Sequence, residues 1–316
     1  MLFSALIANY NNSKYLDNAL QSVINQTYLD WEIILVDDAS TDNLLAVLEK
    51  YTNENRIKVY HNSKNFGCGY TKNRCASLAQ GNILGFLDPD DALHPDAIKI
   101  MVEAHTTKPE CSLIHSTHFI CDANLQVKRI ADYPRALPLG IPYLLVSDGR
   151  IHHFATFKKN AYQQTVGISK KNKKAVDQDL YYLLEEVGEI YFINQALYYY
   201  RIHQGGISTM GKEAETTLWH YGIIEEACIR RIKKLKLSKS LYTAKLIKTY
   251  NTRLCKIRIF KNFRKKAWFS FLYNLVLFPF VGGANNLWSY TQKLHKEGSS
   301  LIKKSFVVDH QIKVEE

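Results

Sequence analysis

The first 105 residues alternate short apolar runs with segments whose apolar residues recur at helical spacing. This alternation is typical of βαβ units, in which parallel strands are joined by crossover helices. Right-handed crossovers bring the carboxyl ends of the strands to one sheet edge, where open α/β sheets bind ligands. The sequence therefore predicts an α/β fold with a ligand site at that edge, with strands at Phe3–Ala8, Glu32–Val36, Ile57–Tyr60 and Ile83–Leu87.

Polar residues follow three of these strands, in the segments Asn9-Tyr-Asn-Asn12, Asp37-Asp38 and Asp88-Pro-Asp-Asp91. Carboxylates two residues apart at a strand end suit Mg²⁺ or Mn²⁺, which prefer oxygen ligands and bridge phosphates. Asp and Pro are also favoured in turns and at helix caps, so the last segment alone fits either interpretation. Asp91 is expected to cap a helix beginning near Pro95, and Ser40 and Asp42 to cap one near Asn43.

From about residue 111 to 203 the pattern is mixed, and no linker rich in Pro, Gly or Ser interrupts it. It predicts a hairpin around 122–124, a helix near 177–187 and an aromatic strand pair through 190–200. We therefore expect this part to elaborate the same domain.

The chain carries a net charge of +11, and the excess is confined to one segment. Residues 227–296 hold 17 basic residues and no acidic one, whereas residues 1–226 are net acidic. Phosphate contacts by a nucleic-acid-binding protein would require basic residues in the N-terminal part too. Nucleic acid is therefore not the expected partner, although binding through the basic C-terminal helices stays open as an alternative.

The six cysteines show no CxxC pair and no zinc-type spacing, which favours free thiols in a reducing compartment. The apolar N-terminus lacks a basic leader and a cleavage site, so it is expected to be a buried strand rather than a signal peptide. The predicted location is cytoplasmic, including the inner face of the cytoplasmic membrane.

An apolar stretch at 267–281 follows the basic residues, and its 15 residues are fewer than the roughly 20 that a membrane-spanning helix needs. Basic residues and aromatic side chains together favour a helix lying in the membrane interface. Peripheral membrane contact through 228–281 is therefore expected. Packing on the catalytic domain or on a second subunit of an oligomer is the alternative.

Six short segments follow one another in the N-terminal part of the chain: Ile7-Ala-Asn-Tyr-Asn11, Gln26-Thr-Tyr28, Val36-Asp-Asp-Ala-Ser-Thr-Asp42, Asn65 and Gly67 ahead of Lys72-Asn73, Ala79-Gln-Gly81, and Phe86-Leu-Asp-Pro-Asp-Asp91. In this order they resemble family 2 glycosyltransferases with the GT-A fold. The resemblance is close over residues 1–105, thinner to about 209 and absent beyond.

The resemblance implies a Rossmann-like, mainly parallel GT-A domain at 1–210 and a basic, mostly helical region at 211–316. Residues 1–105 would form its nucleotide-binding half, and 106–210 its acceptor and catalytic half. The implied reaction is inverting transfer of a sugar from a nucleotide diphosphate donor, UDP-linked, with Mn²⁺ or Mg²⁺. The implied acceptor is a saccharide or lipid-linked saccharide in cell-surface glycan synthesis of the lipopolysaccharide or capsule type.

The resemblance also implies roles for individual residues. Asp177, in the segment Ala175-Val-Asp-Gln-Asp-Leu180, matches the family's general base, and Asp179 is the competing assignment. Asp90 and His203 match the metal ligands. The nucleotide-sugar-binding positions are Ala8, Tyr10, Asp38, Lys72, Asp88, Arg201 and Ser208, with Tyr10 and Asp38 bracketing the base, Asp88 near the ribose, and Arg201 and Ser208 at the diphosphate or its metal.

The chain departs from the family pattern at three of its positions: Lys72 stands where Arg is usual, Cys75 where Gly is usual, and Val176 where Glu is usual. A dinucleotide-dependent oxidoreductase is not expected, because Asn9-Tyr-Asn-Asn12 follows the first strand where a G-x-G-x-x-G fingerprint is required. A non-catalytic relative that keeps only the fold stays open.

Overall fold

The computed structural model describes residues 1–203, 213–237, 241–265 and 267–282. The chain divides into two compact units, Met1–Thr209 and Met210–Glu316. The strands of the first unit are β1 Phe3–Asn9, β2 Trp31–Asp37, β3 Ile57–His61, β4 Ile83–Phe86, β5 Ala92–Leu93, β6 Cys111–Cys121, β7 Val127–Ile130, β8 Ala155–Lys158 and β9 Glu189–Arg201. Its helices are α1 Ser13–Ile24, α2 Leu44–Leu48, the 3-10 turn Glu49–Tyr51, α3 Cys68–Leu78, α4 Ala97–Thr107, α5 Tyr143–Val146, α6 Lys159–Gln163 and α7 Val176–Leu184.

One sheet runs through the first unit in the order β3-β2-β1-β4-β8-β6-β9-β5, with β7 paired to β6. Strands β3, β2, β1 and β4 are mutually parallel, which confirms the predicted crossover pattern. Beyond β4 the sheet is mixed: β8 is antiparallel to both neighbours, whereas β6 and β9 run parallel. Every residue of β2 is buried, because helices cover both faces of a parallel sheet.

A buried carboxylate ties the parallel strands together at the end opposite the polar loops. Glu32 on β2 accepts hydrogen bonds from Ser4 of β1 (2.7 Å), Lys58 of β3 (2.8 Å) and the backbone N–H of Gln80 (2.6 Å) ahead of β4. Burial alone raises the pKa of Glu32, but these donors outweigh it and leave the pKa below its ordinary value. A Cβ on Gly81 would lie 2.5 Å from the Ser4 hydroxyl, so this crossing accommodates only glycine.

The second unit contains the long helices α8 Glu213–Lys236 and α9 Leu241–Arg264 and the shorter α10 Trp268–Gly282. Glu225 of α8 joins the first two, because its carboxylate accepts from Arg258 (2.8 Å) and Lys261 (2.7 Å) of α9. Helix α10 packs one face on α9 around Phe278 and Ile259. No helix of the described residues is both long enough and apolar enough to span a membrane.

The aromatic segment near the end of the first unit differs from its prediction. Instead of a strand pair, it forms the single strand β9, whose register against β6 shifts between Ser116 and Thr117. The hairpin predicted around 122–124 is present, as β6 and β7 with Asp122 in the turn. The helix predicted near 177–187 is α7, which ends at Leu184.

The predicted helix caps are also corrected. Asp91 caps no helix: α4 begins at Ala97, and the Asp91 carboxylate is buried against β9. Ser40 and Asp42 do not cap α2, which has no side-chain cap. Asp42 instead accepts a 2.7 Å hydrogen bond from the backbone N–H of Ser13, at the start of α1. Local cap rules miss these roles because the partners are distant in sequence.

Candidate active site

The loops that follow β1 and β2 are fastened to each other by side chains. Asp37 accepts hydrogen bonds from the amide of Asn9 (3.0 Å) and the hydroxyl of Ser40 (2.5 Å). The Ser40 hydroxyl in turn accepts from the backbone N–H of Asn11 (2.9 Å). These contacts fix the sheet edge at which Tyr10 stands 45 % exposed. Asp37 is therefore a structural residue of the edge.

Asp38 is buried and fastens the next loop along the edge. Its carboxylate accepts from the side chain of Asn62 (2.7 Å) and from the backbone N–H groups of Phe66 (2.9 Å) and Gly67 (2.8 Å). Gly67, with φ of +92°, directly precedes α3. Asp38 thus positions the start of α3, and any contact with a nucleotide base must share a carboxylate that already accepts three hydrogen bonds.

Lys72 of α3 links the two carboxylates that the sequence assigned to different roles. Its ammonium lies 2.7 Å from Asp177 and 3.5 Å from Asp88. Burial by itself lowers the pKa of Lys72, but the two carboxylates outweigh it and hold the pKa well above its ordinary value. Lys72 is therefore a buried cation within an acidic pair whose members are 42 % and 40 % exposed.

The Asp88 carboxylate lies at the centre of the acidic site. Partial burial raises its pKa, and the nearby Asp177 and Asp90 carboxylates act in the same direction against Lys72. Lost hydration and negative neighbours both disfavour the charged form. A bound cation would therefore stabilise the charged carboxylates of this site.

Asp90 and His203 form the next pair along the loop after β4. His203 Nε2 lies 2.9 Å from Asp90 Oδ2, and both side chains are largely buried. The His203 ring packs against Tyr15 of α1 at 4.7 Å between centroids. The two predicted metal ligands thus converge, with one carboxylate oxygen and one imidazole nitrogen directed at each other.

The turn that carries Asp88 and Asp90 is held by β9. The Tyr198 hydroxyl accepts from the Asp88 N–H (3.2 Å) and donates to the Asp91 carboxylate (2.7 Å), which also accepts from the Arg201 N–H (2.8 Å). Burial, with Asp90 and Asp88 nearby, raises the pKa of Asp91 well above its usual range. Tyr198 and Asp91 therefore position the turn, a role that sequence reasoning missed.

Arg201 holds the turn that carries Asp90. Its guanidinium is buried and donates to the Asp90 carbonyl (2.5 Å), the Ala123 carbonyl (2.6 Å) and the Asn18 side chain (3.0 Å). Each guanidinium nitrogen thus meets a protein oxygen, and a contact of Arg201 with the donor diphosphate stays a prediction. The Asn18 contact, 183 residues away, gives no sequence signal.

The two carboxylates at the start of α7 are clearly different. Asp177 faces Lys72 and is partly exposed, whereas Asp179 is buried and accepts from the Asn172 side chain (2.9 Å). The preceding Ala175 has φ of +55°, which turns the chain sharply into the helix. Only Asp177 has a carboxylate that solvent or a substrate can reach.

Among the other predicted positions, Ala8 lies half-buried near the end of β1, and Ser208 lies outside the described residues. Cys75 is fully buried with its thiol 3.5 Å from the Ile7 carbonyl. The structure thus brings Lys72, Asp88, Asp90, Asp177 and His203 to one region. All six cysteines are free, as the sequence predicted.

Relatives of the chain were found both by sequence and by structure. Chondroitin synthase from Escherichia coli is 32% identical over 239 residues, which cover 75% of this chain and 34% of the relative. The chain therefore spans about a third of that relative's length. Residues 1–349 of TarS from S. aureus, solved in complex with UDP-GlcNAc, superpose with a TM-score of 0.61 at 17% identity, over 93% of this chain and 92% of that one.

A second solved structure has the same fold. The mannosyltransferase PcManGT from Pyrobaculum calidifontis, in complex with GDP-Man and Mn²⁺, gives a TM-score of 0.56 at 15% identity over 95% of this chain and 81% of that one. These likenesses establish a GT-A fold with a C-terminal helical region. The family described as "Glycosyl transferase family 2" matches residues 4–166, more than half of the chain. The chain therefore belongs to glycosyl transferase family 2.

Proposed function

We propose that the chain is an inverting, metal-dependent glycosyltransferase that uses a UDP-linked sugar and builds a cell-surface glycan. The acceptor is a saccharide or a lipid-linked saccharide. A chondroitin synthase relative and a structural neighbour solved with UDP-GlcNAc support this choice of donor and product class. We place the reaction in the cytoplasm, at the inner face of the membrane, which agrees with six free cysteines.

The observation that carries the proposal is the 2.7 Å ion pair between Lys72 and Asp177. The two residues are 105 positions apart, and Lys72 also reaches Asp88 on the turn that bears Asp90. A candidate base and a candidate donor-binding site therefore share one cation. An acceptor hydroxyl at Asp177 lies next to a donor held at Asp88 and Asp90, as a direct transfer requires.

The transfer is a single in-line displacement at the anomeric carbon. The acceptor oxygen forms the new bond to this carbon while the bond to the leaving diphosphate breaks. Asp177 takes the proton of the acceptor hydroxyl as the bond forms, because a hydroxyl is a poor nucleophile without a base. The Lys72 ammonium faces the negative charge that develops on the diphosphate. Lys72 thereby supplies the positive charge of the Arg that the family usually has, but it cannot make the two parallel hydrogen bonds of a guanidinium.

Asp90 and His203 fit a divalent cation by the chemistry of their donor atoms. A carboxylate oxygen and an imidazole nitrogen already lie 2.9 Å apart, and an ion would replace the hydrogen between them. Mn²⁺ accepts both ligand types, whereas Mg²⁺ prefers oxygen. When bound, the ion neutralises charge on the donor diphosphate. Arg201 and Tyr198 keep the Asp90 turn in place for this.

A panel of nucleotide sugars tests the proposed activity. The full chain is incubated with each donor and a set of saccharide acceptors, with Mn²⁺, with Mg²⁺ and with neither, and released nucleotide diphosphate is measured. We expect a UDP-sugar to release UDP only when a metal ion is present, and faster when an acceptor is added. A chain that binds UDP-sugars without releasing UDP would be a non-catalytic relative, and one that binds no nucleotide sugar would contradict the proposal.

We also propose that α10 docks on an anionic membrane surface. Five apolar residues of this helix are exposed: Trp268 (54 %), Phe269 (92 %), Leu272 (54 %), Tyr273 (66 %) and Val276 (65 %). They recur at helical spacing, opposite the face packed on α9. The exposed lysines of α9 add attraction to anionic lipid, about 1 kcal/mol for each that approaches the surface.

Vesicle sedimentation tests this docking. The full chain should sediment with vesicles that contain anionic lipid and be partly released by salt. Phe269→Asp should lower the vesicle affinity at least about tenfold, because inserting a Phe side chain is worth about 1.5–3 kcal/mol. Leu45→Asp, at an exposed apolar position of α2, is the matched control and should bind as the parent does. The membrane assignment would be refuted if Phe269→Asp bound vesicles as the parent does, whether or not its oligomeric mass changed.

A further inference from the structure

A cluster of three histidines lies beside the acidic site and plays no part in the proposed transfer. His118 projects from β6, and His152 and His153 occupy the segment that leads into β8. One ring nitrogen from each lies within 4.8 Å of the other two. His118 is fully buried and the other two are half-buried. We propose that these three imidazoles bind a borderline divalent transition-metal ion, with Zn²⁺ as the reference ion.

The type of ligand separates this histidine site from the Asp90 site. Imidazole nitrogens favour Zn²⁺, Cu²⁺ and Ni²⁺, whereas carboxylate-rich sites favour Mg²⁺ and Mn²⁺. Three histidines with a fourth position open to water or a ligand oxygen are a known arrangement for zinc. Three imidazoles therefore favour Zn²⁺ over Mg²⁺ and Mn²⁺ more strongly than the pair of Asp90 and His203 does. The histidine site does not depend on the proposed glycosyl transfer.

Tyr133 provides the outer contact that a histidine ligand usually has. Its hydroxyl lies 2.9 Å from His118 Nε2. In the tautomer in which Nε2–H donates to Tyr133, Nδ1 carries the lone pair that would bind an ion. The Tyr133 hydroxyl then fixes the orientation of the His118 ring.

The surrounding rings restrict the cluster to a small volume. The His152 and His153 rings meet edge to face with centroids 4.1 Å apart, and His153 stacks on Tyr200 at 3.9 Å. Zinc bonds of about 2.0–2.1 Å need nitrogens about 3.4 Å apart, so small ring rotations complete the site.

The position of the cluster gives the ion a structural role beside the donor. His153 also lies within 4.8 Å of carboxylate oxygens of Asp88 and Asp91. The backbone carbonyl of His152 accepts a hydrogen bond from Tyr181 of α7 (3.2 Å), the helix that carries Asp177. An ion on the three histidines would hold the segment before β8 against β6. This segment contacts both the turn that carries Asp88 and Asp91 and helix α7.

Zinc titration of the metal-stripped full chain tests this site. All proteins carry Asp90→Asn, so that the donor-side site does not contribute. We expect one equivalent of Zn²⁺ to bind and, at a free concentration of 100 times Kd, to raise Tm by about 5–10 °C. His152→Asn should weaken binding at least about 100-fold, and Tyr133→Phe by about 10–100-fold, as losses of an outer contact do.

His115→Leu is the matched control for loss of a buried histidine. His115 lies on β6 three positions from His118, outside the cluster, and burial lowers its pKa to about 3, so its replacement removes no charge. It should leave zinc affinity unchanged. The proposal is overturned if no stoichiometric zinc binds, if His152→Asn binds as tightly as its parent, or if His115→Leu loses zinc equally. Failure of the UDP-release panel would leave these zinc results unaffected, so the two proposals fail separately.

Discussion

Asp177→Asn is expected to lower kcat at least about a hundredfold, or about 3 kcal/mol of barrier, while changing donor binding little. The base accepts its proton only as the transition state forms, so its loss affects turnover more than binding. Lys72 keeps Asp88 as an anionic neighbour at 3.5 Å in this variant, so the donor side retains its cation. Single-turnover rates and calorimetric donor affinity measure the two effects separately.

Asp179→Asn is the matched control, two residues away on the same helix. Asp179 is buried and accepts from Asn172, so its replacement should lower Tm and leave kcat within about tenfold of the parent. Asn172 in turn accepts at its backbone carbonyl from Gly69 of α3, which is why a moderate loss of activity is expected. An inactive Asp179→Asn enzyme beside an active Asp177→Asn enzyme would move the base to Asp179.

Asp90→Asn is expected to weaken donor binding and to lower turnover together, each at least about tenfold. A bound cation supplies several kcal/mol of charge stabilisation to a diphosphate, and an amide oxygen holds it less well than a carboxylate. The fold should survive, because the Asp90 side chain contacts His203 while its backbone carbonyl keeps the hydrogen bond from Arg201. Calorimetry with UDP, with and without Mn²⁺, measures the binding effect.

Chelation and a distant variant complete this test. EDTA should reproduce the Asp90→Asn loss in the parent and have no further effect on the variant. Asp132→Asn, at an aspartate whose side chain is 88 % exposed, should behave as the parent does. Undiminished turnover in EDTA would reject the metal assignment of Asp90 and His203.

The sheet edge was predictable because two of its features can be recognised in short stretches of sequence, the apolar strands and the polar loops that follow them. Strands β1, β2 and β4 are mostly apolar and almost entirely buried, and a polar loop directly follows the end of each. What sequence could not supply was the pairing across the edge. Lys72 meets Asp177 over 105 residues of chain, and nothing local to either residue indicates the other.

The errors have the same physical origin. Asp91 stands where the local rule predicts a helix cap. Its carboxylate instead accepts hydrogen bonds from the Tyr198 hydroxyl and the Arg201 backbone N–H of β9. The contacts of Arg201 have the same origin. The resemblance implied only a contact with the diphosphate or its metal, whereas the hydrogen bonds of Arg201 to the carbonyl oxygens of Asp90 and Ala123 have no local sequence signal.

The dependence of the Asp90 turn on β9 has a consequence for how the enzyme is made. The hydrogen bonds that fix this turn come from residues 107 to 113 positions later in the chain. Closing so long a loop is entropically costly, and during synthesis the turn leaves the ribosome well before its partners do. We expect a nascent chain to form its parallel sheet first and to fix the Asp90 turn only when β9 docks. If Asp90 and His203 bind the ion as proposed, cation affinity would then arise only after both halves of the first unit have been made.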